Sequence, residues 1–224
     1  MLIITGLPRS GTTFLNNLFA SGVFGNQYYG HHSNSMGGIG TNPLHLCESQ
    51  MIGIMFRSGI RLETPLSMIC RYWRNTINDY EKIIVYKHPQ ILLQYPLAQQ
   101  QGWRVKYIVC NRDYVPWRES FINVSGHIGI HVDSTDSHYE KYWPGGVWRN
   151  PEDWDKRMEL LYSMFQNKMA GINKNDIFMY SSDEEHLTQE IIKLIIKFDN
   201  KYGTEQEKYN KAKKIINRYW RKPV

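Results

Sequence analysis

Leu2-Ile3-Ile4-Thr5-Gly6-Leu7-Pro8-Arg9-Ser10-Gly11-Thr12-Thr13 is the stretch whose reading decides the fold. Residues 2–5 are an apolar run of strand length, Gly6 and Gly11 bound a turn, and Phe14, Leu15, Leu18 and Phe19 then recur at helical spacing. A strand, a glycine-bounded turn and a helix in this order make a loop whose backbone N–H groups face an anion, with the helix dipole favouring negative charge at the same point.

Outward from that loop the same grammar repeats. Residues 82–86 and 105–109 are β-branched or aromatic runs of strand length, and the stretch 89–101 between them predicts a helix with Pro89 near its first turn. Strand, helix and strand at this spacing imply a parallel pair. Helices are expected at 43–59, 65–79, 112–123, 151–171, 184–199 and 204–219, and a further strand at 177–180. Residues 22–43 and 125–150 read as loops, rich in Gly, Asn, Ser and His in the first case and in Gly, His, Asp and Trp in the second. The expectation is one α/β domain over residues 1–224, of P-loop type, with a central parallel sheet flanked by helices.

Bulk composition agrees with a folded enzyme-sized domain. The 224 residues are 42% hydrophobic and 21% charged, far from the disordered corner of low hydrophobicity and high charge. The formal net charge of +6 favours anionic partners without selecting one. Lys208, Lys211, Lys213, Lys214, Arg218, Arg221 and Lys222 crowd the C-terminal stretch, and such runs are ordinarily a solvated helix face. Cys47, Cys70 and Cys110 are odd in number and widely spaced, so neither a disulfide framework nor a structural zinc site is indicated. With no apolar run long enough to span a bilayer, a cytoplasmic protein is expected.

The phosphate loop departs from the ATP and GTP pattern at one telling position. Where those loops carry Lys after the second glycine, this chain has Thr12, and the cation stands at Arg9. No hydrophobic strand ending in a Mg²⁺-binding Asp is evident; Asp113 follows Arg112 instead. A sulfuryl group on a nucleotide 5′-phosphate carries less charge than a phosphoryl chain, so one cation with a cradle of N–H and hydroxyl donors suffices without a metal.

The octet Gly6-Leu7-Pro8-Arg9-Ser10-Gly11-Thr12-Thr13 resembles the 5′-phosphosulfate loop of sulfotransferases dependent on 3′-phosphoadenylyl sulfate (PAPS). The Pro-Arg-Ser-Gly-Thr form is common in their bacterial and protein-tyrosine members. A second motif resembles that family's 3′-phosphate site, in which an Arg closes a strand and a Ser follows on the next helix. Here these are Arg112 and Ser120, eight residues apart, with Asp113 and a late Pro116 as departures. The planar fork of Arg suits a phosphate through paired charge-assisted bonds. Trp117, on the same helix, is either a core residue or a platform for adenine.

The resemblance extends over about residues 1–125 and implies PAPS as donor and adenosine 3′,5′-bisphosphate (PAP) as product, with Pro8, Arg9, Ser10, Gly11, Thr12, Thr13, Arg112 and Ser120 binding them. It implies that Lys87, at the end of the second strand, and Arg9 offset charge on the leaving oxygen. For the general base it points to Glu48. His88 is the alternative, although the small-molecule members place a His two residues after the Lys and this chain places it one after. His31, His32, His127 and His131, together with Tyr139, Tyr142, Trp143 and Trp148, fall in the two loops expected to rim the acceptor pocket, and no metal is expected.

The acceptor is expected to be a small molecule, a saccharide or a peptide, and no specific nucleic acid is expected as a partner. Two other readings stand beside this one: a nucleotide kinase with a divergent P-loop, and a nucleotide- or polyanion-binding module without catalysis.

Overall fold

A computed structural model describes residues 2–7, 9–29, 83–87, 106–123, 154–199 and 201–220 of the protein. In chain order the elements are β1 (Leu2–Gly6), α1 (Thr12–Ala20), β2 (Tyr28–Tyr29), β3 (Ile83–Lys87), β4 (Lys106–Asn111), α2 (Tyr114–Ile122), α3 (Trp154–Met169), a 3₁₀ turn (Lys174–Asp176), β5 (Ile177–Met179), α4 (Glu184–Phe198) and α5 (Glu205–Tyr219). The expected helices at 43–59, 65–79 and 89–101 and the loop at 125–150 lie outside the described residues.

The strands form one sheet in the order β2-β3-β1-β4-β5, and every pairing is parallel. The chain is therefore α/β with a parallel sheet. β1 lies at its centre and is buried along its whole length. Side chains alternate across a strand, so Leu2 and Ile4 join Ile108, Cys110 and Phe178 in one apolar cluster, while Ile3, Tyr107 and Val109 are buried outside it. Burial on both faces is why these strands read as unbroken apolar runs.

The larger cluster is filled by α1 (Leu15, Leu18, Phe19), α4 (Leu187, Ile191, Ile195, Phe198) and α5 (Ala212, Ile215, Ile216). Phe19 lies 4.6 Å from Phe24 and 5.3 Å from Phe198 between ring centroids. A second aromatic group joins Tyr114, Trp117 and Phe121 of α2 to Tyr162 of α3. An Arg118–Asp155 ion pair also ties these two helices.

Two boundaries differ from expectation for identifiable reasons. β4 runs past the apolar run 105–109 to Asn111, one residue short of the Arg112 at which the second motif closes the strand, because Cys110 and Asn111 still pair with Phe178 and Met179 of β5. Arg112 thus follows the strand end and leads into α2. The stretch expected as an unbroken loop from residue 22 contains β2, two residues paired with Ile83 and Ile84 of β3 after turns at Gly22 and Gly25.

Three lysines of the basic C-terminal stretch are matched by acids. Lys208 pairs with Glu205, Lys211 with Asp199 and Lys213 with Glu184 and Glu185. Lys211 also donates to the carbonyl of Val23 at 2.8 Å, fastening α5 to the turn after α1.

Candidate functional site

Parallel neighbours deliver their following loops to the same end of a sheet, and ligands of open α/β sheets bind in the crevice there. Gly6 pairs with Cys110 in the β1–β4 register, so the loop after β1 and the junction after β4 emerge side by side. This adjacency brings together two sequence motifs about a hundred residues apart.

The first loop is built for close approach. Gly6 has φ +148°, and a Cβ there would lie 2.3 Å from the carbonyl oxygen of Cys110. Gly11, at the N-cap of α1, has φ +93°, and a Cβ there would lie 2.5 Å from the ring of Tyr180. Each position needs glycine for its backbone angle and for its neighbour. Between them the N–H and the hydroxyl of Ser10 both donate to the carbonyl of Leu7, at 3.1 and 2.6 Å. Ser10 is 1% exposed and braces the turn from inside. Thr12 is also buried, at the start of α1. Pro8 lies outside the described residues.

Arg9 is exposed and has φ +71°, the one positive φ on a non-glycine among the described residues. Its Nε donates to Ser120 Oγ at 3.2 Å, so the cation of the first motif meets the hydroxyl of the second. The Arg9 carbonyl in turn accepts from Nη1 of Arg112 at 3.3 Å.

Arg112 is 5% exposed, and its Nε has no hydrogen-bond partner among the described residues. Its guanidinium lies 5.4 Å from the centroid of the Tyr180 ring. Burial pulls its pKa below the ordinary arginine value and the like charge of Arg9 adds to that, while Tyr180 and Glu119 act the other way. A buried donor left unpaired beside a second guanidinium favours an anion there, which would satisfy the donor and offset both charges.

No known protein family matches this sequence, and no curated protein does. The case for function therefore rests on the residues themselves.

The structure draws Arg9, Arg112 and Ser120 into one cluster, with Gly11 close by against Tyr180. Lys87 is the last residue of β3, and its Cα pairs with Ile4 of β1, two residues before the loop. Glu48, His88 and the loop residues His31, His32, His127, His131, Tyr139, Tyr142, Trp143 and Trp148 lie outside the described residues. Trp117 is fully buried among Tyr114, Phe121 and Tyr162, so it is a core residue and not a platform for a base. Among the described residues no three His, Cys, Asp or Glu side chains gather as metal ligands, and no helix is long and apolar enough to cross a membrane.

Three supporting residues escape the motifs. Tyr180 supplies the ring beneath Arg112, and its N–H donates to the carbonyl of Asn111 at 2.7 Å. Burial raises the Tyr180 pKa, against the opposing charge of Arg112, so its phenol stays neutral at physiological pH. From α3, Tyr162 Oη donates to the carbonyl of Arg112 and Gln166 Nε2 to Asn111 Oδ1, both at 2.9 Å. Tyr162 and Gln166 are one turn apart on the same helix face, but nothing in their spacing names a partner fifty residues away.

Proposed function

We propose that the protein is a PAPS-dependent sulfotransferase with a P-loop type three-layer fold, acting in the cytoplasm on a small-molecule, saccharide or peptide acceptor. The observation that carries this reading is the meeting of Arg9, Ser120 and the buried Arg112 where the β1 and β4 loops emerge together. Two guanidiniums and a hydroxyl drawn from both nucleotide motifs suit a ligand with an anionic group at each end of a ribose.

In the proposed reaction the acceptor oxygen or nitrogen attacks sulfur, and the bond from sulfur to the 5′-phosphate oxygen breaks. PAP leaves with the bonding electron pair. The acceptor proton passes to Glu48, or to His88 in its stead, as general base. Arg9 and Lys87 offset the charge that develops on the leaving oxygen. The loop from Pro8 to Thr13 cradles the 5′ end, its N–H groups and the start of α1 facing the anion. Ser10 supports that cradle chiefly by shaping it, since both its donors are held by Leu7. Arg112 and Ser120 take the 3′-phosphate. The two cations make a metal unnecessary for neutralising the leaving group.

A thermal-shift comparison of PAP, 5′-AMP, and ADP with Mg²⁺ tests this. At about a hundred times its dissociation constant a ligand adds roughly 2.7 kcal/mol, a rise of about 5–10 °C for a chain of this size. PAP should stabilise the protein and 5′-AMP far less, and Arg112→Ala should remove that difference. Stabilisation by ADP with Mg²⁺ alone would favour a kinase. Salt-sensitive binding of heparin undisturbed by Arg9→Ala would favour a polyanion-binding module, a reading the paired lysines of α5 already weaken.

A further inference from the structure

We propose that Tyr162 and Gln166 of α3 are positioning residues that clamp the end of β4 from the side, fixing Arg112 for a 3′-phosphate. The inference rests on the donor site described above and adds the elements that give it selectivity.

An arginine side chain is long, and where its guanidinium can settle depends first on the direction in which its backbone releases it. Arg112 sits between the last residue of β4 and the N-cap of α2, Asp113, so neither the strand ladder nor the helix holds its carbonyl. Tyr162 supplies the missing partner by donating its hydroxyl to that carbonyl at 2.9 Å. One turn further along α3, Gln166 donates to the side-chain oxygen of Asn111 at 2.9 Å. Asn111 is 8% exposed, and its own carbonyl is held by the N–H of Tyr180 at 2.7 Å. Three hydrogen bonds thus fix two consecutive residues, two of them from α3 and one from the end of β5.

The guanidinium is steered in turn by the Tyr180 ring and by the Arg9 carbonyl. None of these contacts uses the Nε of Arg112, which is buried and has no partner among the described residues. Burial, helped by the charge of Asp113, raises the Tyr162 pKa, so the phenol remains a donor throughout the neutral range. The ring of Tyr162 packs 5.2 Å from Tyr114 and 5.5 Å from Trp117, contacts that do not involve its hydroxyl. The clamp can therefore be removed with the packing left in place.

The test measures dissociation constants of PAP and of 5′-AMP for the full chain, for Tyr162→Phe and for Gln166→Met, with melting temperature recorded for each. Loss of one positioning hydrogen bond should weaken PAP by about three- to tenfold while 5′-AMP binding is unchanged, and the double variant should lose more. Gln166→Glu, which puts an acceptor against an acceptor, should behave like Gln166→Met. A merely structural role would lower the melting temperature and weaken both nucleotides alike, or neither. If either single variant folds poorly, the other decides by the same ratio. A parent protein that prefers PAP, with variants that keep the full preference, overturns the clamp and leaves the donor site standing. A parent with no preference for PAP overturns the donor reading itself.

Discussion

Arg9 holds a backbone angle that an L-residue adopts at a cost of about 1 kcal/mol, because its Cβ crowds the following carbonyl. Glycine has no such crowding, so Arg9→Gly should be more stable to urea than Arg9→Ala by roughly that amount. Both variants should lose affinity for PAP. An equal or lower stability for the glycine variant would mean that the turn is unstrained.

The sequence motif makes Arg9 and the two glycines legible, since a cation and two permissive hinges inside a phosphate loop have few other uses. It also pairs Arg112 with Ser120. It does not foretell that Arg9 reaches Ser120, because that contact depends on β1 and β4 being neighbours in the sheet. Tyr162, Gln166 and Tyr180 are illegible for the same reason: they act on a strand end brought near by tertiary packing, and their residue types are commonplace where they stand.

At the level of elements, the starts of α4 and α5 are set by side-chain chemistry. Asp183 caps α4 by accepting from the N–H of His186 at 2.7 Å. Thr204 and Glu207 form a reciprocal box at the start of α5, at 3.2 and 2.9 Å. The backbone N–H of Thr204 holds the Glu207 carboxyl below its usual range, with its side chain also contributing. A carboxyl depressed in the folded state contributes stability that is present above its unfolded pKa and lost as pH falls through the folded one. Glu207→Gln keeps a group able to close the box but does not titrate. The stability of that variant should fall less steeply on acidification below pH 4 than that of the parent, as followed by urea midpoints. Matching acid limbs would remove Glu207 as a contributor.

Pro116 occupies the third position of α2, where a missing N–H breaks no helical bond, so the helix can begin soon after Arg112. Long apolar runs made β1, β3, β4 and β5 readable, and periodic apolar faces did the same for α1, α4 and α5. β2 was not, because two residues carry no periodicity and their pairing is decided by β3. The apolar run alone stops at residue 109, because Cys110 and Asn111 lack the β-branched signature, whereas the second motif, which closes the strand at Arg112, comes within one residue of the end of β4.

For the molecule as a whole, a parallel sheet must be assembled from distant parts of the chain, and non-local pairing slows folding. Refolding from urea should show a principal phase slower than about a millisecond; a faster one would mean that the sheet is not formed in the rate-limiting step. Among the described residues the sheet's outer strands are two and three residues long and offer little to a neighbouring chain. The outer N–H of Met179 is in addition taken by the buried carboxylate of Glu190 at 2.9 Å.

The central place of β1 has a further consequence during synthesis. Its Leu2, Ile3 and Ile4 are made before their partners in β3 and β4, which end at residues 87 and 111. At about 5–20 residues per second the finished centre of the sheet waits on the order of 5–20 s for its second neighbour. Until β3 is made, the nascent chain presents a strand that the fold buries along its whole length with no edge to join, a natural client for a holding chaperone.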